Sequence, residues 1–451
     1  MKNNKFQILL IFGVLLILIS CNRFLDIKPD KKLAVPSELT DFRALLNSSL
    51  VNFAPSEGEI MARDHYLSDK EFLSIKCETN RALYLFEDDS FSSSCVSSTG
   101  WARSYQNILR SNVVLLALDK NEKSNGITVE SKDIRGHALY LRAINHFEVV
   151  QIWADAYNSS TVKEKLGIPL KFSDDFNEKT ERSTLEKSFE QILIDLIKAE
   201  ELLPIRQPNL IWPSKVTAWA YLARVYLYMG NFEKAREYAS KTLTSHHKLL
   251  DFRTIPRTNP IRLPNWQENS EIINFKLLES QYESLHRDKH LVNNDLLKTY
   301  HNDDLRKNFY YSEVDQSIRF SGNLAGNIVN LFCGLTLGEM YLILSECQAR
   351  MGEDEQAIKT LKTLLENRGV QDFEISNTKL LEIILLERRK ELIRRGLDFY
   401  DVKRLNVLGA GISLKRVIQE KEYVLNPNDP RFTLLIPENV IRLSGIQQNT
   451  R

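Results

Sequence analysis

The sequence predicts a mainly α-helical protein in which paired helices stack into an array and an irregular, loop-rich half packs against it. Three observations support this fold class. Glycine and proline are scarce, with 17 and 13 residues in a chain of 451, which argues against many short strands joined by turns. Two distant stretches carry the same helical-hairpin pattern. Between them, residues 251–331 lack a helical period and are long enough to suggest a functional segment.

The composition is that of a globular protein with balanced charge. Hydrophobic residues make up 43% of the chain and charged residues 26%, and 60 Lys and Arg oppose 59 Asp and Glu, giving a formal net charge of +1. Binding to nucleic acid requires a net basic face. We therefore expect no nucleic-acid partner.

The first twenty residues have the pattern of a lipoprotein signal peptide. Basic residues precede an apolar run over residues 6–19, as in secretory signals, and this run is shorter than the roughly 20 residues of a membrane-spanning helix. The motif Leu-Ile-Ser-Cys, which ends at Cys21, is similar to a lipobox. We expect residues 1–20 to be removed and the Cys21 thiol to carry the lipid anchor, with an uncleaved signal anchor as the alternative.

Four further cysteines are too few to form a disulfide framework for a chain of this length. They are Cys77, Cys95, Cys333 and Cys347. Four cysteines allow three pairings. Buried free thiols are the default expectation, and Cys77–Cys95 is the first pairing to test.

Two segments, near residues 214–243 and 339–365, have the spacing of a tetratricopeptide repeat. In the first segment, the small Ala223 and Ala235 would let two antiparallel helices approach closely. Gly230 fits the turn between these helices because it lacks a Cβ atom. The second segment repeats the same offsets from Tyr341 onward. Two unrelated helical hairpins are the alternative.

Four other stretches have apolar residues at helical spacing. They cover residues 101–119, 131–153, 186–203 and 380–395. The last stretch contains alternating charges between Glu387 and Arg395, which we interpret as a structural ion-pair network. Anion or nucleic-acid binding is the alternative for these charges.

Five motifs follow one another along the mature chain. They lie at residues 21–29 (CNRFLDIKP), 135–157 (RGHALYLRAINHFEVVQIWADAY), 167–174 (GIPLKFSD), 385–406 (LLERRKELIRRGLDFYDVKRLN) and 434–449 (LLIPENVIRLSGIQQN). In this order they resemble the SusD/RagB family of outer-membrane nutrient-binding lipoproteins. The block at residues 385–406 is the most specific part of the resemblance.

The resemblance implies a SusD-like N-terminal region over residues 21–205 and a SusD/RagB C-terminal region over residues 206–451. It implies a lipid-anchored receptor on the outside of the outer membrane, whose repeat side faces a SusC-like, TonB-dependent transporter. The irregular side would capture a nutrient oligomer, an oligosaccharide or a peptide, for delivery to that transporter. A lipid-anchored assembly scaffold without a small ligand is the main alternative, and a hydrolase on a helical frame is a weaker one.

The sequence indicates neither catalysis nor a cofactor or metal. The motifs HExxH, GxSxG, GxxxxGKS/T and GxGxxG after a strand do not occur, and these are the patterns that carry such chemistry. We therefore expect a binding protein that is not an enzyme.

Candidate ligand contacts are aromatic, because sugar rings pack their apolar faces on flat side chains and a few polar groups orient them. In the irregular segment the candidates are Trp266, Tyr310 and Tyr311. In the early half they are Asp64, Tyr66 and Tyr84. Packing in the protein core is the alternative for each aromatic residue.

Overall fold

A computed structural model describes residues 36–451 apart from 89–98, 176, 180, 247, 257–262, 323, 327, 328 and 372. The predicted signal peptide and Cys21 lie outside the described residues. Among the helices of the described part, none is both long enough and apolar enough to cross a bilayer.

The described residues contain sixteen α-helices. They are α1 (Leu39–Leu46), α2 (Glu57–Ile60), α3 (Asp69–Leu73), α4 (Glu78–Tyr84), α5 (Gly100–Asn125), α6 (Val129–Trp153), α7 (Leu185–Leu202), α8 (Lys215–Tyr228), α9 (Phe232–Ser245), α10 (Asn294–Leu297), α11 (Arg306–Tyr310), α12 (Leu337–Arg350), α13 (Asp354–Asn367), α14 (Leu380–Glu391), α15 (Asp398–Val407) and α16 (Glu438–Ser444). Short 3-10 helices cover Ser49–Asn52, Phe252–Thr254, Glu283–Leu285, Asn377–Lys379 and Pro430–Phe432. The mainly α-helical prediction is confirmed.

Twelve short strands in the same described ranges pair two by two. They are β1 (Phe53–Ala54), β2 (His65–Tyr66), β3 (Leu166–Pro169), β4 (Arg182–Thr184), β5 (Ile272–Asn274), β6 (Leu277–Leu278), β7 (Leu291–Val292), β8 (Tyr311–Val314), β9 (Ser317–Phe320), β10 (Leu335–Thr336), β11 (Leu414–Ile418) and β12 (Lys421–Leu425). Strand β1 pairs with β6 in parallel, and the antiparallel pairs are β2–β7, β3–β4, β5–β10, β8–β9 and β11–β12. The pairs β1–β6 and β2–β7 join the early part of the chain to the irregular half.

The longer helices pack in succession into an array. Helix α5 packs on α6, α6 on α7, α7 on α8 and α8 on α9, and α9 then packs on α12, which contacts α13 and α14. Residues 246–336, between α9 and α12, leave the array and form the irregular half with β5 to β10. The array therefore supports a loop-rich half, in agreement with the predicted architecture.

The predicted repeat near residues 214–243 coincides with α8 and α9. Ala223 and Ala235 have no exposed surface, so their small side chains allow the two helices to approach. Gly230 turns the chain between the helices with φ 74°, a conformation that a Cβ atom would strain. Tyr226 packs flat on Tyr238 across the hairpin, with ring centroids 5.7 Å apart.

The predicted repeat near residues 339–365 coincides with α12 and α13. Gly352 occupies the turn with φ 77°, as Gly230 does in the first hairpin. Ser345 on α12 donates a hydrogen bond to the Ala357 carbonyl of α13 at 2.8 Å. The division of the chain into regions 21–205 and 206–451 stays a prediction.

The alternating charges of residues 387–395 form buried ion pairs, which confirms the structural interpretation. Arg394 Nη1 donates to Glu59 Oε1 at 2.8 Å, and the Gly396 N–H donates to Oε2 of the same carboxylate at 2.8 Å. These bonds tie the C-terminal part of the chain to α2 in the early half. Removing one partner would leave a buried charge without compensation, which costs about 3–5 kcal/mol.

The cysteines fall into two groups. Cys77 is disulfide-bonded, whereas Cys333 and Cys347 are free and buried. Burial raises the pKa of each of these two thiols to about 12, so they are poor nucleophiles. The prediction of buried free thiols is confirmed for these two and is wrong for Cys77, whose thiol is oxidised to a disulfide. Cys95 lies outside the described residues, and the Cys77–Cys95 pairing stays a prediction.

Candidate ligand-binding site

Three predicted site residues of the early half lie around strand β2. Asp64 precedes the strand and is 3% exposed, and its carboxylate is paired with Arg389. Tyr66 is 40% exposed. Tyr84 is buried, and its hydroxyl oxygen accepts a hydrogen bond from the Leu67 N–H at 2.7 Å. Of these three residues, only Tyr66 offers a solvent-facing ring, and all three stay predictions as ligand contacts.

Tyr310 and Tyr311 lie in the apolar core of the irregular half. Both rings are buried among neighbours that include Phe309 and Phe320, and the two tyrosine rings are inclined by 72°. The Tyr311 hydroxyl is hydrogen-bonded to the Tyr300 hydroxyl at 2.7 Å. Their role in ligand binding stays a prediction, and in this conformation they present little surface to a ligand.

Trp266, the last of the predicted aromatic residues, is partly exposed. One face of its ring stacks on Phe275, with centroids 4.3 Å apart and an interplanar angle of 30°. Gly326 approaches its edge, and a Cβ atom at that glycine would lie 3.3 Å from Trp266 Cδ1. The indole is therefore held in place while part of it remains accessible.

A second partly exposed tryptophan, Trp212, lies in the loop between α7 and α8. The guanidinium of Arg43 covers one face of its ring, 4.6 Å from the centroid, and Arg43 is fixed by an ion pair with Asp133 at 2.7 Å. Trp212 is not among the residues predicted from the sequence. A tryptophan between Pro208 and Pro213, in a stretch without helical period, is the signal that could have found it.

Hydrogen bonds from the backbone and from one side chain hold this loop in one conformation. The Lys215 N–H donates to the Pro204 carbonyl at 2.8 Å and closes the loop. The side-chain oxygen of Asn209 accepts from the N–H groups of Ile211 and Trp212, each at 3.0 Å. The Phe275 N–H donates to the Leu210 carbonyl at 2.8 Å, which pins the loop to the segment that carries Trp266.

Leu210 connects the surroundings of the two tryptophans. Leu210 lines a cleft of about 130 Å³ together with Trp212, and it also packs against the apolar cluster that contains Trp266. Polar groups surround the cleft, and they belong to Arg206, Gln207, Asn209, Ser214, Ser245 and His246. We call Trp212, Trp266 and this cleft the tryptophan surface.

The polar groups of the cleft are oriented by the protein. The Nε2 atom of His246 lies 2.7 Å from the Ser270 carbonyl oxygen and donates a hydrogen bond to it, which orients the imidazole ring. Gln207 Nε2 donates to Asp133 at 2.7 Å and to the Pro213 carbonyl at 3.1 Å. Fixed aromatic faces with oriented polar groups suit a ligand that is apolar on one face and rich in hydroxyls. Within the described ranges, no group of three His, Cys, Asp or Glu residues is arranged to hold a metal ion.

Two models of known protein families match this chain. A family model described as "Starch-binding associating with outer membrane" matches residues 23–227, and a model described as "SusD family" matches residues 335–434. The first match lies before the irregular half in the chain, and the second match lies almost entirely after it. The chain belongs to the SusD/RagB family, as the sequence motifs indicate, and this family is associated with the outer membrane.

Solved structures of low sequence identity share the fold. A SusD superfamily protein from Bacteroides thetaiotaomicron VPI-5482 is 20% identical, with a TM-score of 0.75 over 92% of this chain and 100% of that one. A structure described as a putative sugar binding protein from Bacteroides vulgatus ATCC 8482 is 21% identical, with a TM-score of 0.75 over 92% of this chain and 99% of that one.

A curated relative matches part of the chain. It is the SusD-like protein P2 of Formosa agariphila, which is 30% identical over 164 residues. The match spans 35% of this chain and 29% of that relative, so it covers less than a third of the relative's length.

Proposed function

We propose that this protein is a lipid-anchored receptor of the outer membrane that binds a glycan without cleaving it. The tryptophan surface is the observation that carries the proposal. Membership of a family whose matching model is described as starch-binding supports it. The description of one structural relative as a putative sugar binding protein adds further support.

The physical argument rests on the fixed rings. A sugar ring has apolar C–H faces bordered by hydroxyl groups, so it needs a flat apolar platform and polar groups at the edge of that platform. Trp212 is held by Arg43 and Trp266 by Phe275. Because both indoles are already ordered, binding a glycan costs little side-chain entropy.

A glycan array followed by calorimetry on the best ligand tests the receptor function. We expect Trp212→Ala and Trp266→Ala each to weaken binding about ten-fold or more, since aromatic anchors dominate such interfaces. Phe172→Ala is the matched control: Phe172 is 44% exposed and also has a guanidinium near its ring, but it lies outside the tryptophan surface. Unchanged affinity in both tryptophan variants would contradict the site.

The same experiment separates the alternatives. Binding to a peptide array with no glycan bound would assign the receptor to peptides. No ligand on either array would contradict the receptor function and favour an assembly scaffold. Product analysis after long incubation with the bound glycan should find the glycan intact, and cleavage products would establish a hydrolase instead.

We further propose that Cys21 carries the lipid anchor and that the receptor delivers its ligand to a SusC-like, TonB-dependent transporter. The lipobox and the family resemblance support both parts. A tagged protein isolated from outer membranes in mild detergent should bring a barrel transporter with it. The Cys21→Ala variant should be released from membranes, and its retention after carbonate washing would contradict lipid anchoring.

A further inference from the structure

A second cavity is lined by arginine side chains and lies between α14, α15 and the loop after α15. Its volume is about 210 Å³. Arg63 reaches it from the early half of the chain, and Arg388 and Arg389 reach it from α14. The rest of the wall consists of two carboxylates and of aliphatic side chains: Asp398, Asp401, Leu385, Leu386, Leu392, Leu405, Ala410 and Ile412. We call it the arginine cavity, and it shares no residue with the tryptophan surface.

Each of the three arginines is held through its Nε atom by a carboxylate. The pairs are Arg63 with Asp398, Arg388 with Asp401, and Arg389 with Asp64. The first two N–O distances are 2.9 Å and 2.8 Å. The carboxylates therefore fix the guanidinium planes but use only one donor of each fork.

Among the described residues, the terminal nitrogens of these guanidiniums form one ion pair, between Arg388 and Glu339. In the part of the chain that the structure describes, no Nη atom of the three forms a hydrogen bond, and Arg388 Nη2 is 4.0 Å from Glu339 Oε1. Arg388 is 3% exposed, and its buried Nη1 has no partner among the described residues. An unpaired buried donor costs about 1–3 kcal/mol. The side chains of Arg63 and Arg389 remain 23% and 22% exposed, so these two guanidiniums are the ones that a ligand can reach.

The charges of the cavity favour a monoanion. Asp398 and Asp401 line it together with the three arginines, and Asp64 pairs with Arg389, so each arginine already has one carboxylate partner. A dianion such as phosphate would bring two negative charges close to both lining carboxylates, whereas a single carboxylate brings only one. The planar fork of arginine also fits a carboxylate with two parallel hydrogen bonds.

The size and walls of the cavity define the rest of the ligand. A volume of about 210 Å³ is below the range of pockets that take drug-sized molecules, so only a small group fits. Burying an aliphatic group against the leucine-rich wall is favourable because it removes apolar surface from water. The leucine side chains form no hydrogen bonds with sugar hydroxyls.

We propose that the arginine cavity binds a small ligand in which one carboxylate is attached to an aliphatic body. Two sources share this chemistry: a free short-chain carboxylic acid and the C-terminal residue of a short peptide with an aliphatic side chain. Glycan binding at the tryptophan surface does not require this site.

Calorimetry on the intact mature protein tests the ligand class. The probes are 4-methylpentanoate, its uncharged amide, and the peptide Gly-Gly-Leu with a free or an amidated C-terminus. We expect the carboxylate forms to bind at least ten-fold more tightly than their amides, and the tighter of the two acids identifies the source. Equal binding of acid and amide, or no binding of either acid, would overturn the proposal. Tighter binding of glucuronate or inorganic phosphate than of 4-methylpentanoate would also overturn it.

Arginine-to-lysine variants test whether the carboxylate binds in the arginine cavity, because they keep the positive charge of each side chain. Arg63→Lys and Arg389→Lys keep the cation and lose the fork, and each should weaken 4-methylpentanoate binding about ten-fold. Arg253→Lys is the matched control, because Arg253 is also bound by a carboxylate through Nε, at 2.9 Å, but lies on the surface elsewhere. Trp212→Ala should leave this binding unchanged, which separates the cavity from the proposed glycan site. Unchanged binding in both cavity variants would place the carboxylate elsewhere.

Discussion

Arg368 donates a hydrogen bond through Nη2 to Oε1 of Glu391, and the two atoms are 2.6 Å apart. Arg368 follows α13 and Glu391 ends α14, so this buried pair joins the last two helices of the array. Nη1 of the same arginine donates to Glu271 at 2.8 Å, just before β5. One guanidinium thus connects the array to the irregular half. Burial opposes ionisation of Glu391, but the charge of Arg368 and its neighbours outweighs burial and lowers its pKa.

Replacing Arg368 should destabilise the whole protein. Arg368→Met leaves the buried carboxylates of Glu271 and Glu391 without their main partner, and we expect a loss of about 3–5 kcal/mol in the free energy of unfolding. Denaturant titration followed by circular dichroism measures this loss. The control Lys298→Met removes an exposed ion pair with Asp295 and should change stability little. Similar stability of the two variants would contradict the central role of Arg368.

Adding a methyl group should lower the free energy of unfolding by different amounts at two glycines. At Gly352 a Cβ atom would meet open space, but φ is 77°, so Gly352→Ala should cost about 1 kcal/mol through backbone strain alone. At Gly334 a Cβ atom would lie 2.1 Å from the Asn274 carbonyl oxygen, where β10 pairs with β5. Gly334→Ala should therefore cost more than Gly352→Ala. Thermal unfolding monitored by calorimetry ranks the two variants, and the reverse order would be a contradiction.

The sequence predicts the helical array better than the binding surface. The reason is that the contacts of the array join residues close together in the chain, whereas those of the binding surface join distant ones. The hairpins α8–α9 and α12–α13 depend on the spacing of small residues such as Ala223 and Ala235, which is local in the chain. The burial of Tyr310 and Tyr311 depends on neighbours such as Tyr300 and Phe252, brought together only by the fold. Aromatic residues in an irregular segment look alike in sequence whether they pack inward or outward.

The same limit explains why the sequence does not point to Trp212. Its position depends on Arg43, which is far away in the chain, and on a loop held by Asn209. Charge pairing has an equally long range: the sequence predicts a network around Glu387 to Arg395, but not that Arg394 would contact Glu59. Alternating charges in the sequence indicate that ion pairs form, whereas the three-dimensional packing determines which residues pair.

Stability should depend on pH through Glu279. Burial raises its pKa to about 7, repulsion from the buried Glu57 adds to this, and Arg103 opposes it. The unfolded chain has the usual value of 4.5, so between these pH values the folded state binds more protons. The free energy of unfolding contributed by this group therefore falls as pH rises from 4.5 to 7, by about 2–3 kcal/mol.

Chemical denaturation at several pH values measures this contribution. Glu279→Gln cannot ionise, so its stability relative to the wild type should increase as pH rises through this window. The exposed Glu355→Gln on α13 is the control and should keep the wild-type pH profile. A parallel profile for Glu279→Gln and the wild type would show that Glu279 does not titrate in this range.

Asn209 should act on ligand binding through Trp212. Its side-chain oxygen accepts from the N–H groups of Ile211 and Trp212, and such a local bond selects one loop conformation. Asn209→Ala should make the loop flexible, so that ordering Trp212 costs conformational entropy when the ligand binds. The affinity for the glycan identified on the glycan array should therefore fall several-fold. The melting temperature should change little because Asn209 is exposed. Asn158→Ala is the matched control, since Asn158 makes the same kind of bond to the Ser160 N–H at 3.0 Å outside the tryptophan surface. Equal affinity of the two variants would mean that the loop conformation, and with it the position of Trp212, does not determine binding.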